Sequence, residues 1–271
     1  MDYKTFQPHP DLESVVKFYW TLEVPYDPNN QKQKIIPDGC IEMTFNFKDP
    51  IKRYISETDY LLHPSAMVMG QRTKSYYIEP TGDVNSFAVC FYPYGFTNIV
   101  NAHLKEFTDI EVPLHYFFGE RCANELEEDI VRAKDTQGRI QIIETFLLNK
   151  LYENVTVEQI VKETVDTLIN ANGGVPIHHL LKDDLSKRRS LERKFLKHVG
   201  VSPKQLGKVI RLQSALKMML QNEETQLTNI AYESDYFDQA HFTKDFKEFT
   251  GINPKEFLDD GHMALSSLFY K

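Results

Sequence analysis

Long apolar runs, Cys-x-x-Cys motifs and histidines at metal-ligand spacing are all missing from this chain of 271 residues. Its three cysteines, Cys40, Cys90 and Cys122, are widely spaced and odd in number, so they cannot make a fully paired disulfide framework; free thiols in a reducing compartment are expected. No stretch approaches the roughly 20 apolar residues of a membrane span. The opening MDYKTFQPHPDLESVV has no basic head followed by an apolar run. Both features predict a cytoplasmic protein without a membrane partner.

Positive charge is also scarce, with 31 Lys and Arg against 39 Asp and Glu, which at first sight argues against a phosphate-rich partner. The average hides a polarisation. Residues 1–175 hold 16 basic and 26 acidic side chains, whereas Lys182 to Lys217 holds 11 basic and 3 acidic. A basic stripe on an acidic chain is either a solvated helix face or a nucleic-acid footprint.

The first part reads as β-structure. Ile41 to Phe47 alternates apolar and polar residues strictly, as on a half-buried strand, and Pro37-Asp38-Gly39 before it is a turn. Short β-like runs at Arg53–Ile55, Ala66–Met69, Ser75–Ile78 and Ser86–Phe91, separated by turn formers, predict a small barrel or sandwich. From about Thr108 the period lengthens, and apolar residues three and four apart predict helices over Glu120–Ala133, Arg139–Leu151 and Val157–Asn170. Asn172-Gly173-Gly174 stops the last of these and marks a domain boundary. The expected organisation is α+β: a β-rich domain over 1–110, a helical connector over 111–172, an all-α domain over 175–260 and a tail over 261–271.

The most specific feature is a gapless internal repeat. Ser190 to Leu206 aligns with His241 to Phe257, and the equivalent residues Gly200 and Gly251 lie 51 positions apart. Each copy places an apolar pair four apart (Leu191/Phe195, Phe242/Phe246), then a glycine free to take positive φ, then a new helix. Ser202-Pro203-Lys204-Gln205 and Asn253-Pro254-Lys255-Glu256 both supply an N-cap, proline at the first helical position and Gln or Glu three residues after the cap. Leu227 to Ala231 reads as a short first helix and Glu233 to Asp238 as a tight turn, so the unit is helix, turn, helix. Ile177 to Leu181 is the counterpart in the first copy, whose turn carries one extra residue.

These residues resemble the DNA-binding domain of AraC-type (AraC/XylS) transcriptional regulators over about Val175 to Asp260. The likeness rests on Ile230-Ala231, Asp235 to Phe242, Phe246-Lys247, Thr250 to Pro254 and the linker-like Ile210 to Ala215. Two departures stand out. Asp235 takes a position usually held by glycine, and Asp tolerates left-handed geometry better than most residues. In the first motif Leu181 and Leu185-Ser186 replace the usual alanine and turn glycine. Residues 1 to about 150 are more weakly similar, through Phe18-Tyr19-Trp20, Ile36 to Glu42 and Phe87 to Pro93, to a sensor-like, degraded cupin domain found ahead of such DNA-binding domains.

The resemblance implies a promoter-binding regulator acting on double-stranded DNA, self-associating as a homodimer, open to RNA polymerase contact and to a small-molecule effector. Carrying the family's base contacts over position by position selects Arg189, Glu192 and Arg193, then Gln239, Ala240, Thr243 and Lys244. The chemistry agrees: Arg reads guanine O6 and N7, Glu accepts from cytosine N4, Gln suits adenine, and Ala and the Thr methyl suit thymine. Arg188, Lys197, Lys208 and Arg211 are phosphate candidates. Ser202, Lys204, Asn253 and Lys255 join them at capped helix starts, beside ordinary capping roles. The helices from Glu120 to Asn170 are the expected self-association surface.

No catalytic residue, metal or cofactor is expected. His9, His63, His103 and His115 lack the His-x-His plus later histidine of a cupin metal site. Cys40 and Cys90 read as buried thiols rather than nucleophiles, since no partner histidine accompanies them. A cavity lined by residues such as Phe45, Phe47, Tyr76 and Phe91, with Arg72 or Glu42 as polar anchors, is weighed against a packed core, and no ligand residue is assigned. The alternative reading is a cupin-like enzyme or ligand-binding protein with a DNA-localising tail.

Overall fold

The computed structural model describes residues 1–29, 32–153, 157–175, 187–221 and 226–257. Its strands are β1 (Asp2–Phe6), β2 (Val16–Val24), β3 (Gln33–Ile35), β4 (Ile41–Asn46), β5 (Ile51–Tyr54), β6 (Tyr60–Leu62), β7 (Ala66–Met69), β8 (Tyr76–Pro80), β9 (Val84–Phe91) and β10 (Glu111–Pro113). They build two antiparallel sheets, ordered β1-β2-β9-β4-β7-β10 and β3-β8-β5-β6. Among the described residues the sheets are not closed on each other, so of the barrel or sandwich expected the architecture is an open sandwich, and the cupin-like barrel is not formed.

The alternation in β4 decides which face is which. Ile41, Met43 and Phe45 are buried with Phe87, Val89 and Phe91 of β9 in one core, while Glu42, Thr44 and Asn46 face the second sheet. That core is closed by α1 (His115–Phe118), α2 (Glu120–Arg132) and α3 (Thr136–Glu153), which contribute Leu126, Ile130, Ile140, Ile143 and Leu147. Burying each such side chain contributes about 1.5–3 kcal/mol.

The next helix, α4 (Gln159–Asn170), serves a different core. Val161, Val165 and Leu168 pack with Leu191, Phe195, Val199 and Leu206 of the C-terminal repeat. The segment expected to act as one connector therefore divides between the sandwich and the helical domain, and the apolar stripes that suggested self-association are covered within the chain.

The repeat appears as α5 (Arg188–His198) and α8 (Gln239–Thr250), each followed by a helix starting at proline: α6 (Pro203–Gln221) and α9 (Pro254–Phe257). Between them lies α7 (Leu227–Glu233). Gly200 and Gly251 take φ of 96° and 78°, and Asp235 takes 56°, as its replacement of glycine requires. The two capping boxes form by complementary halves: Ser202 Oγ accepts from the Gln205 amide, whereas the Asn253 amide donates back to Glu256 Oε2. The first helix of the first unit (Ile177 to Leu181), its turn at Leu185-Ser186 and the tail over 261–271 lie outside the described residues. No described helix is long and apolar enough to cross a membrane.

Candidate nucleic-acid interface and chamber

In α5 the faces separate cleanly. Leu191 and Phe195 are buried, while Arg188, Arg189, Arg193 and Lys197 are exposed. Glu192 is half-buried and holds Arg188 at 3.2 Å across one helical turn. In α8, Phe242, Phe246 and Phe249 are buried, Gln239, Ala240 and Lys244 are exposed, and Thr243 is half-buried. Asp238 caps this helix by accepting from the His241 amide at 2.7 Å, and the Thr228 hydroxyl of α7 donates to Gln239 Oε1 at 2.9 Å, orienting that amide. The seven base-contact candidates thus sit on two unburied helix faces, one weakly and one strongly basic, with the stronger charge on α5.

The phosphate candidates sort into two groups. Lys204 and Lys255 are exposed at the starts of α6 and α9, beside the half-buried caps Ser202 and Asn253. Lys208 and Arg211 are already engaged within the chain. Lys208 Nζ lies 3.0 Å from Asp245 Oδ1 and 3.1 Å from Glu248 Oε2. Burial opposes its charge, but these two carboxylates outweigh burial and raise its pKa. It braces α6 against α8, because releasing it would strand the buried Asp245 carboxylate. The Arg211 guanidinium is 5.2 Å from the Tyr236 ring centroid, and the stem of the side chain lies beside Gly173.

Sequence reasoning missed how the sandwich grips this domain. Lys34 Nζ donates to the Thr250 carbonyl at 2.8 Å and the Ser75 amide donates to the Phe249 carbonyl at 3.1 Å, both at the end of α8. At the end of α5, Thr108 Oγ1 donates to the Gly200 carbonyl at 2.8 Å and Thr97 Oγ1 lies 3.1 Å from His198 Nδ1. Burial, and then the Lys197 charge, lower the His198 pKa, which favours a neutral ring there. The sandwich holds the C-terminal ends of both repeat helices and leaves their opposite ends uncovered by these bonds.

Between the two sheets lies a cavity of about 350 Å³. Its wall includes Trp20, Glu42, Thr44, Arg72 and Tyr76, and it reaches Ile169 of α4 and Ile210 and Gln213 of α6. Trp20 Nε1 donates to Glu42 Oε1 at 3.0 Å, and burial pushes the Glu42 carboxyl up to about 8. Burial likewise pushes the Tyr76 hydroxyl up to about 12. Arg72 pairs with Glu111 through Nη2, yet its Nε and Nη1, and Thr44 Oγ1, are buried without a hydrogen-bond partner among the described residues. Of the cavity residues expected from sequence, Tyr76, Arg72 and Glu42 line it. Phe45 and Phe91 point to the helix-covered face, and Phe47 packs beside them under Arg139. Period-2 geometry sends neighbouring residues to opposite faces, and sequence alone did not say which face enclosed the space.

The chain thus combines a β-sandwich that encloses a cavity with a repeated helical unit that the sandwich grips. Comparison with known proteins finds a match to each half. Residues 186–260 match a helix-turn-helix domain and residues 4–113 match a domain of unknown function (DUF6597). An uncharacterized HTH-type transcriptional regulator of Haemophilus influenzae is 26% identical over 190 residues, covering 65% of this chain and 63% of that protein. The chain therefore aligns with less than two thirds of that relative's length. ToxT from Vibrio cholerae is similar over 91% of this chain and 99% of its own, with TM-score 0.49 and 13% identity. Unsaturated-fatty-acid-bound wild-type ToxT is similar over 90% and 94%, with TM-score 0.43 and 14% identity. The chain is thus similar to HTH-type transcriptional regulators through its C-terminal domain.

Proposed function

We propose that this protein binds promoter DNA sequence-specifically through α5 and α8 and regulates transcription, with the sandwich as a sensor for a small molecule. The observation that carries the reading is the division of each repeat helix into a buried aromatic or aliphatic face and a solvated face bearing base-reading residues. Arg189, Glu192 and Arg193 read one segment of duplex; Gln239, Ala240, Thr243 and Lys244 read a second. Arg188, Lys197, Lys204 and Lys255 neutralise phosphate, aided by the capped starts at Ser202 and Asn253.

The effector reading rests on the cavity, which pairs apolar walls with buried, unpartnered polar atoms on Arg72 and Thr44 and touches α6. The two facing antiparallel sheets around it are compatible with a cupin-like ancestry. The protein works in the cytoplasm, where promoter DNA and RNA polymerase are found. A homodimer through residues 120–170 would use the polar faces of those helices, since their apolar stripes are internal.

Fluorescence anisotropy on duplexes enriched by in vitro selection tests this. A two-part motif is expected, with affinity falling steeply as salt rises. Failure to enrich any motif would overturn sequence-specific binding.

A further inference from the structure

We propose that Asp38, Cys40 and Cys90 form a binding site for a thiophilic divalent metal ion of the zinc and cadmium kind, and that the ion acts on DNA binding through the turn carrying two of its ligands. The second half of this inference rests on the DNA-binding function proposed above. The two sulfurs and a carboxylate oxygen of Asp38 lie within 4.8 Å of one another. Cys40 and Cys90 are buried and carry free thiols, and Asp38 is exposed at the rim.

The fold, not the spacing in sequence, makes this cluster. Antiparallel pairing sets Glu42 of β4 opposite Cys90 of β9. Cys40, two residues before Glu42, shares its face and so meets Cys90. The preceding turn, with Gly39 at φ 79°, folds Asp38 back so that its Oδ1 accepts from the Cys40 amide at 2.9 Å.

The donor set selects the ion. Two thiolates and one carboxylate suit a borderline or soft ion and disfavour magnesium, which prefers oxygen ligands throughout. An ion with bonds of about 2.3 Å holds two sulfurs about 3.8 Å apart, so only a small closure is needed. Asp38 and Cys40 both line the cavity, which leaves a fourth position for water or an entering ligand. Each thiol gives up its proton to solvent as its sulfur bonds the ion, two protons per ion. Three anionic ligands around a divalent ion leave one negative charge, and Lys17 Nζ, 3.9 Å from Cys40 Sγ, supplies the matching positive one.

The same turn is seated on the helix that links the two repeat units. The Pro37 carbonyl accepts from Gln213 Nε2 of α6 at 2.6 Å. A side chain at Gly39 would meet Leu206 at 3.3 Å and Val209 at 3.6 Å, so turn and helix are in close contact. Drawing Asp38 and Cys40 onto an ion therefore displaces the surface on which α6 rests.

The test is titration of the reduced full chain with Cd²⁺ or Zn²⁺, followed by thiolate-to-metal ultraviolet absorption for cadmium and by equilibrium dialysis for both, with Mg²⁺ as comparator. One ion per chain is expected, with no uptake of magnesium. Cys40→Ser, which exchanges a single atom, should abolish the absorption, Asp38→Asn should weaken binding about tenfold or more, and Cys122→Ser should change nothing. Cys90→Ala is read alongside Cys40→Ser, with circular dichroism to establish that each variant is folded. No absorption, or absorption that survives Cys40→Ser and vanishes in Cys122→Ser, overturns the site. A shift of at least threefold in DNA affinity with zinc, absent in Cys40→Ser, is expected; metal uptake with unchanged DNA affinity overturns the coupling. If absorption develops as expected but no duplex binds under any condition, the site stands and the DNA-binding reading is what fails.

Discussion

Lys34 Nζ donates a hydrogen bond to the main-chain carbonyl of Thr250, 2.8 Å away, tying the third strand to the last residue of α8. Both residues are buried, and a cation at a helix C-terminus also meets the negative end of the helix dipole. Replacing Lys34 by methionine keeps the stem and removes the donor. The expected loss is about 1.5–3 kcal/mol, the scale of a buried bond to a charged group, read as a lower midpoint in chemical denaturation. An unchanged midpoint would mean that the junction is held without this bond.

The two repeat helices are expected to read separate parts of one site. Arg189→Ala should cost about 1–3 kcal/mol and relax preference at one segment only, and Gln239→Ala should do the same at the other. Anisotropy against duplexes altered at a single segment separates the two effects. Loss at both segments from either substitution would argue for a shared, non-reading role.

Lysines in this domain should divide by what they touch. Lys204→Ala and Lys255→Ala, at exposed positions, should leave stability nearly unchanged and lower the salt slope by about one phosphate each. Lys208→Met should instead reduce stability, because Asp245 is buried and loses its cation. Thermal melts run beside salt titrations distinguish them, and a normal melt for Lys208→Met would refute the brace.

Glu111 joins the two sheets and sets an acid limit on stability. Its Oε1 is 3.1 Å from Arg53 Nε and 3.7 Å from His63 Nε2, and it also pairs with Arg72, which lies over the Tyr76 ring and near Asp109. Burial acts to raise its pKa, but the neighbouring His63, Arg72 and Arg53 side chains outweigh burial and hold it at about 2, below the ordinary 4.5. A carboxyl whose folded pKa is depressed stabilises the fold above its unfolded value and loses that contribution as pH falls from about 4.5 toward 2. Denaturation midpoints should drop over that window in the wild type. Glu111→Gln should flatten the drop and, by stranding the arginines, cost about 3–5 kcal/mol at neutral pH.

Gly173 is expected to tolerate no side chain. It has φ of 78°, and a Cβ there would lie 2.2 Å from the Gly207 carbonyl oxygen of α6. Gly173→Ala should lower the melting temperature beyond the roughly 1 kcal/mol cost of a left-handed alanine, since α4 and α6 must also separate. A wild-type melt would show that the two helices can part freely.

The glycine pair at 173–174 illustrates the limits of reading the chain alone. As a helix stop it was plain from local composition, and α4 ends where expected. Its second role, letting the backbone approach α6 and Asp235, depended on residues more than 30 positions away. The same holds for Lys208, whose place in a basic stripe suggested phosphate until the fold set two carboxylates beside it.

By itself the sequence determined what is local: the helical period, the caps at Ser202 and Asn253, the positive φ at Gly200, Asp235 and Gly251, and hence the repeat and its solvated faces. Such features depend on residues within a turn or two of each other, where spacing and conformational preference are enough. Tertiary structure alone decided that the sheets stay open, that Glu42 rather than Phe45 faces the cavity, that α4 joins the C-terminal core, and that Cys40 meets Cys90. Those outcomes follow from strand register and packing between distant segments, and a shift of one residue in register would have exchanged every face.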